Sequence, residues 1–128
     1  MKEENYTNKH NPLRDKSFQF AVRIVNLHKY LIETKKEFTM SNQVLRSGTN
    51  PGAMVREAEF AESGSDFIHK LSIGRKENGE TQYWLELLYA TNYISKNESE
   101  SLISDSQELG KLFTSSIKTK KRNLKILK

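Results

Sequence analysis

The 128-residue chain contains no cysteine, two prolines and a single tryptophan. The lack of cysteine excludes disulfide frameworks, zinc ribbons, iron–sulfur clusters and thiol nucleophiles. No stretch approaches the roughly 18 consecutive apolar residues that a membrane span needs, and the polar start of the chain lacks the apolar run of a signal peptide. We therefore expect one soluble, cytoplasmic domain that does not contact a membrane.

Motifs that carry catalysis or hold cofactors are also missing from the sequence. It contains no P-loop, no dinucleotide-binding glycine motif and no nucleophile elbow. The only carboxylate–histidine pair at helical spacing is Asp66 with His69, whereas a di-metal helical bundle needs two Glu-x-x-His motifs and two further glutamates. We expect no metal, no cofactor and no enzymatic activity.

The net charge of +5 is unevenly distributed along the chain. Residues 118–128 contain no acidic residue, and removing their six basic residues from the total of 21 leaves 15 basic against 16 acidic residues in the body. Five of those six cations form the predicted nucleic-acid-binding set, which comprises Lys118, Lys120, Lys121, Arg122 and Lys125. A basic run at a chain end is typical of an arm that binds RNA or DNA. It is equally typical of a solvated helix end whose cations suit the negative end of the helix dipole, so both interpretations remain open.

Apolar residues recur at helical spacing in four segments, and no segment has the alternation of a strand. The segments extend from Pro12 to about Glu37, from about Met40 to Glu62, from about Asp66 to Ile94, and from Asn97 into the basic tail. Short connections between four helices favour an all-α, antiparallel up-and-down four-helix bundle. We predict a flexible amino terminus over residues 1–11, the bundle over 12–117 and a basic tail over 118–128.

The second and third segments combine small residues with charged ones. Pro51 predicts either a kink or a break after which the helix restarts. Glycines at positions 48, 52 and 74 leave room, on this interpretation, for long polar side chains inside the bundle. We therefore predict a buried structural polar layer, made of Arg46, Glu57, Lys76, Glu77 and Glu80.

The first segment has a wider apolar face than one helix contact requires. Phe18, Val22 and Val25 lie beside its main apolar stripe, and Tyr83 and Trp84 add aromatic surface on the third segment. Apolar surface beyond what one bundle covers usually marks an interface. We expect the chain to associate with itself as a homo-oligomer.

An ordered set of motifs lies between residues 43 and 88. It consists of Arg-Ser-Gly-Thr-Asn-Pro-Gly-Ala-Met-Val-Arg-Glu-Ala over residues 46–58, Ser63, Asp-Phe-Ile-His-Lys-Leu over 66–71, Lys76-Glu77, and Glu-Thr-Gln-Tyr-Trp-Leu over 80–85. This set resembles the bacterial four helix bundle protein family, first noticed as reading frames inside intervening sequences of the 23S ribosomal RNA gene. Asn50 stands where a serine is usual in that family, and Met54 where an asparagine is usual.

The resemblance implies an antiparallel four-helix bundle that assembles as a ring-shaped homopentamer. A related protein, the accessory protein of diversity-generating retroelements, binds nucleic acid and a reverse transcriptase through basic surface. The basic run, the missing catalytic motifs and this relative together favour a non-catalytic accessory protein that binds RNA or DNA. A structural ring or a protein-interaction scaffold without nucleic-acid binding is the alternative.

Overall fold

Four α-helices make up the part of the chain that the structure describes. The structure is a computed structural model that describes residues 11–127, and the side chains of residues 11–125. Residues 1–10 of the predicted flexible amino terminus, and Lys128, lie outside the described residues. The helices are α1 (Pro12–Glu33), α2 (Met40–Ala58), α3 (Gly64–Ala90) and α4 (Lys96–Leu127).

Each helix packs antiparallel against the next one in the chain, and α4 also packs against α1. The directions follow from pairs of contacts, since Gly64 at the start of α3 lies beside Leu124 near the end of α4, while Asn78 lies beside Ser106 in the middle of both. Ion pairs of Lys16 with Glu108 and of Arg23 with Asp105 join α1 to α4 in the same antiparallel sense. The predicted up-and-down four-helix bundle is confirmed.

The predicted apolar stripes form the core. On α4, every member of the series Leu102, Ser106, Leu109, Phe113 and Ile117 is buried. On α1, the stripe from Phe20 to Leu31 is buried, whereas Thr34 and Phe38 are exposed because α1 ends at Glu33. Phe18 and Val22, beside that stripe, remain about half exposed, at 56% and 46%.

The turn between α1 and α2 shows why α1 is shorter than its apolar spacing predicts. Lys36 adopts a left-handed backbone conformation (φ 55°), which lets the Glu37 N–H reach back to the Leu31 carbonyl. The Glu37 carboxylate then accepts hydrogen bonds from the backbone N–H groups of Met40 and Ser41, at 3.1 and 2.8 Å. A carboxylate there satisfies free donors and complements the positive end of the α2 dipole.

Close contact between helices occupies the space beside the glycines. A Cβ atom at position 48 would lie 2.7 Å from Ile24 of α1, and one at position 74 would lie 2.9 Å from Phe113 of α4. Gly52 likewise faces the Ser17 backbone of α1. The helix α2 continues through Pro51, so it does not break and restart there.

The prediction of a buried charged layer is wrong. Arg46, Glu57 and Lys76 are exposed, and of the five predicted members only Arg46, Glu77 and Glu80 meet. The reason is the close helix packing, because apolar side chains and backbone already fill the space beside the glycines.

The buried polar layer consists of small, uncharged side chains instead. Asn78 of α3 donates to the Ser106 carbonyl of α4 at 2.8 Å, and the Ser106 hydroxyl donates to Asn78 Oδ1 at 2.9 Å. Gln82 donates to the same hydroxyl, and the Thr81 hydroxyl lies 3.1 Å from that of Ser47 on α2. Because these groups satisfy one another, their burial is tolerated and the helix register is fixed.

We expect Asn78→Ala to lower the free energy of unfolding by about 1–3 kcal/mol, because it removes the two hydrogen bonds that the buried Asn78 amide makes with Ser106. Glu57→Ala, at an exposed position, should change it by no more than about 0.5 kcal/mol. Urea unfolding of both variants measures the difference. Equal destabilisation by the two substitutions would contradict this assignment of the polar layer.

Candidate functional site

A long open groove of about 800 Å³ lies between α3 and α4. The α3 wall carries Arg75, Asn78, Gly79 and Gln82, and the α4 wall carries Gln107, Gly110, Lys111, Thr114, Ser115, Lys118, Thr119 and Arg122. On each wall the lining positions alternate between steps of three residues and steps of one residue, so they recur about every four residues and each wall is one face of a helix. Among the lining residues there are four cations, six neutral polar side chains and two glycines, with no carboxylate and no aromatic ring.

The charges of α4 are divided between its two halves. All four carboxylates lie in the first half, and each forms an ion pair: Glu98 and Asp105 with Arg23, Glu100 with Lys96, and Glu108 with Lys16. From residue 109 onward α4 has no acidic residue. Within the described residues, no cation of this second half forms an ion pair, so a positive surface faces solvent.

The structure separates the five predicted nucleic-acid-binding residues into groups. Lys118 and Arg122 line the groove, and Lys121 and Lys125 are exposed on α4 outside the groove lining. Lys120 instead places its ammonium 5.0 Å from the centre of the Phe67 ring on α3, a cation–π contact. The tail is thus a continuation of α4, with Lys120 turned toward the bundle.

Two further cations, Arg75 and Lys111, belong to the same surface and were missed by the sequence analysis. They lie outside the basic run, 36 residues apart in the chain, and come together because α3 and α4 are antiparallel. Arg75 Nη1 lies 3.4 Å from the Thr114 hydroxyl across the groove. The detectable signal was the acid-free stretch of α4 that begins at residue 109, which includes Lys111.

The carboxylates of α3 that the sequence analysis selected lie on the side facing α2. Glu77 and Glu80 bind the Arg46 guanidinium at 2.6 and 2.5 Å, and the Trp84 indole N–H donates to Glu80 at 2.9 Å. The hydrogen bond that Arg46 donates to the Glu77 carboxylate raises the pKa of Arg46, which keeps its charge. These two acids therefore neutralise Arg46 of α2 and form no ion pair with the cations of the groove.

The described residues do not meet the requirements of a metal site or of a membrane-spanning helix. Over residues 11–127, no group of three or more histidine, aspartate or glutamate side chains is arranged to hold a metal ion. None of the four described helices combines the length and apolar character that crossing a bilayer requires.

Comparison with known proteins identifies the family. The model of the 23S rRNA-intervening sequence protein family matches residues 9–115. The chain belongs to this family. A solved structure from Bacteroides thetaiotaomicron, described as a protein with unknown function from the S23 ribosomal protein family, shares 57% sequence identity and a TM-score of 0.83. The match covers 84% of this chain and 96% of that one. The chain matches no curated protein with significant similarity.

The family match ends at residue 115, whereas α4 continues to Leu127. The groove therefore combines positions inside the matched region, such as Arg75 and Lys111, with positions beyond it, such as Lys118 and Arg122. The region that matches the family model therefore contains the whole α3 wall and the α4 wall as far as Ser115.

We expect Arg46→Gln to lower the free energy of unfolding by about 1 kcal/mol, since Glu77, with a side chain only 12% exposed, loses its cation. The effect stays modest because half of the Arg46 side chain is in solvent, where charge pairs are weakened. Emission from the single tryptophan, Trp84, should shift as Glu80 rearranges. Unchanged stability together with unchanged emission would contradict a structural role for this ion cluster.

Proposed function

We propose that this protein is a non-catalytic accessory protein that binds RNA or DNA through the second half of α4. The observation that carries the proposal is the unneutralised positive surface of that half-helix. Its exposed cations are Lys111, Lys118, Lys121, Arg122 and Lys125. A fixed array of cations attracts the phosphate backbone and releases condensed counterions when it binds.

The arrangement of these cations on one helix supports backbone binding in preference to base recognition. Phosphate contacts position a protein on nucleic acid but carry no sequence information. The description of the structural relative refers to a ribosomal protein family, which is compatible with an RNA ligand. We expect binding that tolerates many sequences and weakens steeply with salt.

Self-association is the second part of the proposal. Phe18 and Val22 form an exposed apolar stripe on α1, and Arg56 stacks over the Phe18 ring at 5.6 Å. Buried in an interface between copies, this stripe would leave the α3–α4 side of the bundle facing solvent. The family resemblance implies five copies, and five linked basic helices would bind one polyanion far more tightly than a single one.

The same apolar stripe favours the alternative function, a structural ring or protein-interaction scaffold without nucleic-acid binding. In that case the cations of α4 only complement the negative end of the helix dipole and bind no partner. The two functions differ in whether the cations of α4 change the affinity for a polyanion.

We expect replacement of Lys118, Lys121, Arg122 and Lys125 by Gln to weaken binding to nucleic acid at least about tenfold. The slope of log affinity against log salt is negative, and it should become less negative by up to about 0.9 for each phosphate that the variant no longer neutralises. Fluorescence anisotropy with labelled RNA and DNA duplexes measures both quantities.

The matched control carries Gln at Lys29, Lys35, Lys36 and Lys96, which removes four positive charges from the other end of the bundle. It should bind almost as wild type does. Absence of wild-type binding at low salt would refute nucleic-acid binding and favour the scaffold function. Equal weakening by both variants would show that total charge matters and that α4 has no special role.

Light scattering at micromolar concentration should give a mass of five times the 14.9 kDa of one chain. Phe18→Glu together with Val22→Glu should reduce this mass, because two charges would have to be desolvated in the interface. Tyr89→Glu, at another exposed aromatic position on α3, is the control. A single-chain mass for the wild-type protein would refute self-association.

A further inference from the structure

The α3–α4 groove shares Lys118 and Arg122 with the positive surface of α4, whereas Lys121 and Lys125 lie outside its lining. We propose that it holds the sugar–phosphate backbone of one strand of a double-stranded nucleic acid, an inference that rests on the proposed function. It adds Arg75 to the binding residues and assigns the ligand class as a duplex.

The groove is open because glycine occupies both walls. A Cβ atom at Gly79 would meet no heavy atom within 4 Å, so no side chain or packing contact fills the space in front of it. At Gly110 an added Cβ would meet only the Asn78 amide, at 3.6 Å. Neither glycine has a positive φ, so neither is needed for backbone conformation. Glycine in a helix interior costs about 1 kcal/mol relative to alanine, and at Gly79 no packing contact requires it.

The cations line both walls and are spaced along the groove. Lys111, Lys118 and Arg122 extend along eleven residues of α4, which is about 16 Å at 1.5 Å per residue. Arg75 stands opposite them, beside Thr114. One strand of a duplex presents a phosphate about every 3.4 Å of axis, and because the strand winds around that axis, only some of the roughly five phosphates over this length face the track.

The neutral lining residues indicate which part of a nucleic acid the groove accepts. Gln107, Thr114, Ser115 and Thr119 offer side-chain hydrogen-bond donors of the kind that contact phosphate and sugar oxygens. Sites for single strands combine their cations with aromatic side chains on which unpaired bases stack, and the groove lining contains none. In a duplex the bases are already paired and stacked, so its backbone can accept hydrogen bonds from these side chains and needs no aromatic ring for its bases.

The deciding variant is Gly79→Leu, which places an apolar side chain in the groove without changing any charge. Position 79 is exposed, a Cβ atom there meets no heavy atom within 4 Å, and replacing glycine favours the helix, so the protein should fold with an unchanged or higher Tm. We expect binding to a 20-base-pair duplex to weaken at least about tenfold. Gly79→Ala, which adds only a methyl group, should bind nearly as wild type.

Two charge variants locate the site further. Arg75→Gln with Lys111→Gln removes two charges from the groove, whereas Lys121→Gln with Lys125→Gln removes two from outside it. We expect the groove pair to weaken duplex binding several-fold more than the outer pair.

The outcomes separate this inference from the function on which it rests. If wild type binds duplex but Gly79→Leu binds equally well, the groove is not the site, while the proposed function stands. If a single strand of the same length binds as tightly and is equally weakened by Gly79→Leu, the assignment to a duplex is overturned. If poly-glutamate displaces the duplex at equal charge concentration, the groove accepts an acidic protein segment and the inference fails. If wild type binds no nucleic acid at low salt, the proposed function itself fails.

Discussion

The close approach of antiparallel helices at small residues constrains most of this structure. Where Gly48 meets Ile24 and Gly74 meets Phe113, the distances leave no room even for a methyl group. Interiors packed at this density accept small, mutually satisfied polar groups, and long charged side chains must stay outside. The surface arrangement of charge is therefore a consequence of core geometry as well as of sequence.

The buried polar groups fit the same constraint. Asn78, Ser106 and Thr81 are small enough for the space between helices and have partners at hydrogen-bond distance. A register shift of α3 against α4 would separate Asn78 from Ser106 and leave both buried and unpaired. The register that satisfies these groups also places Arg75 opposite Thr114 and Gly79 across from the α4 wall, so the buried layer positions the groove beside it.

The sequence could predict the helices, their apolar faces and their antiparallel order, because helical periodicity depends on local spacing. Helix ends were predicted less well, since they depend on single residues: Lys36 in a left-handed conformation stops α1, and the Ser63 side chain caps α3. The charged layer was mistaken because the sequence shows small residues but not what fills the space beside them. The groove was missed because no local pattern joins Arg75 to Lys111; only the packing of α3 on α4 does.

Stability alone does not account for the distribution of charge on α3 and α4. The helix dipole favours cations in the last turn of α4, which explains Lys125 but neither Lys111, four turns earlier, nor Arg75 on another helix. Like charges at i, i+4, such as Lys118 and Arg122, are slightly destabilising. Meanwhile Glu77 and Glu80, the acids nearest to Arg75 along α3, are held by Arg46 on the side facing α2. Within the described residues, no acid neutralises these cations, which lie along a groove kept open by two glycines. An external anion bound there would supply the missing negative charge and would explain why the cations are arranged in this way.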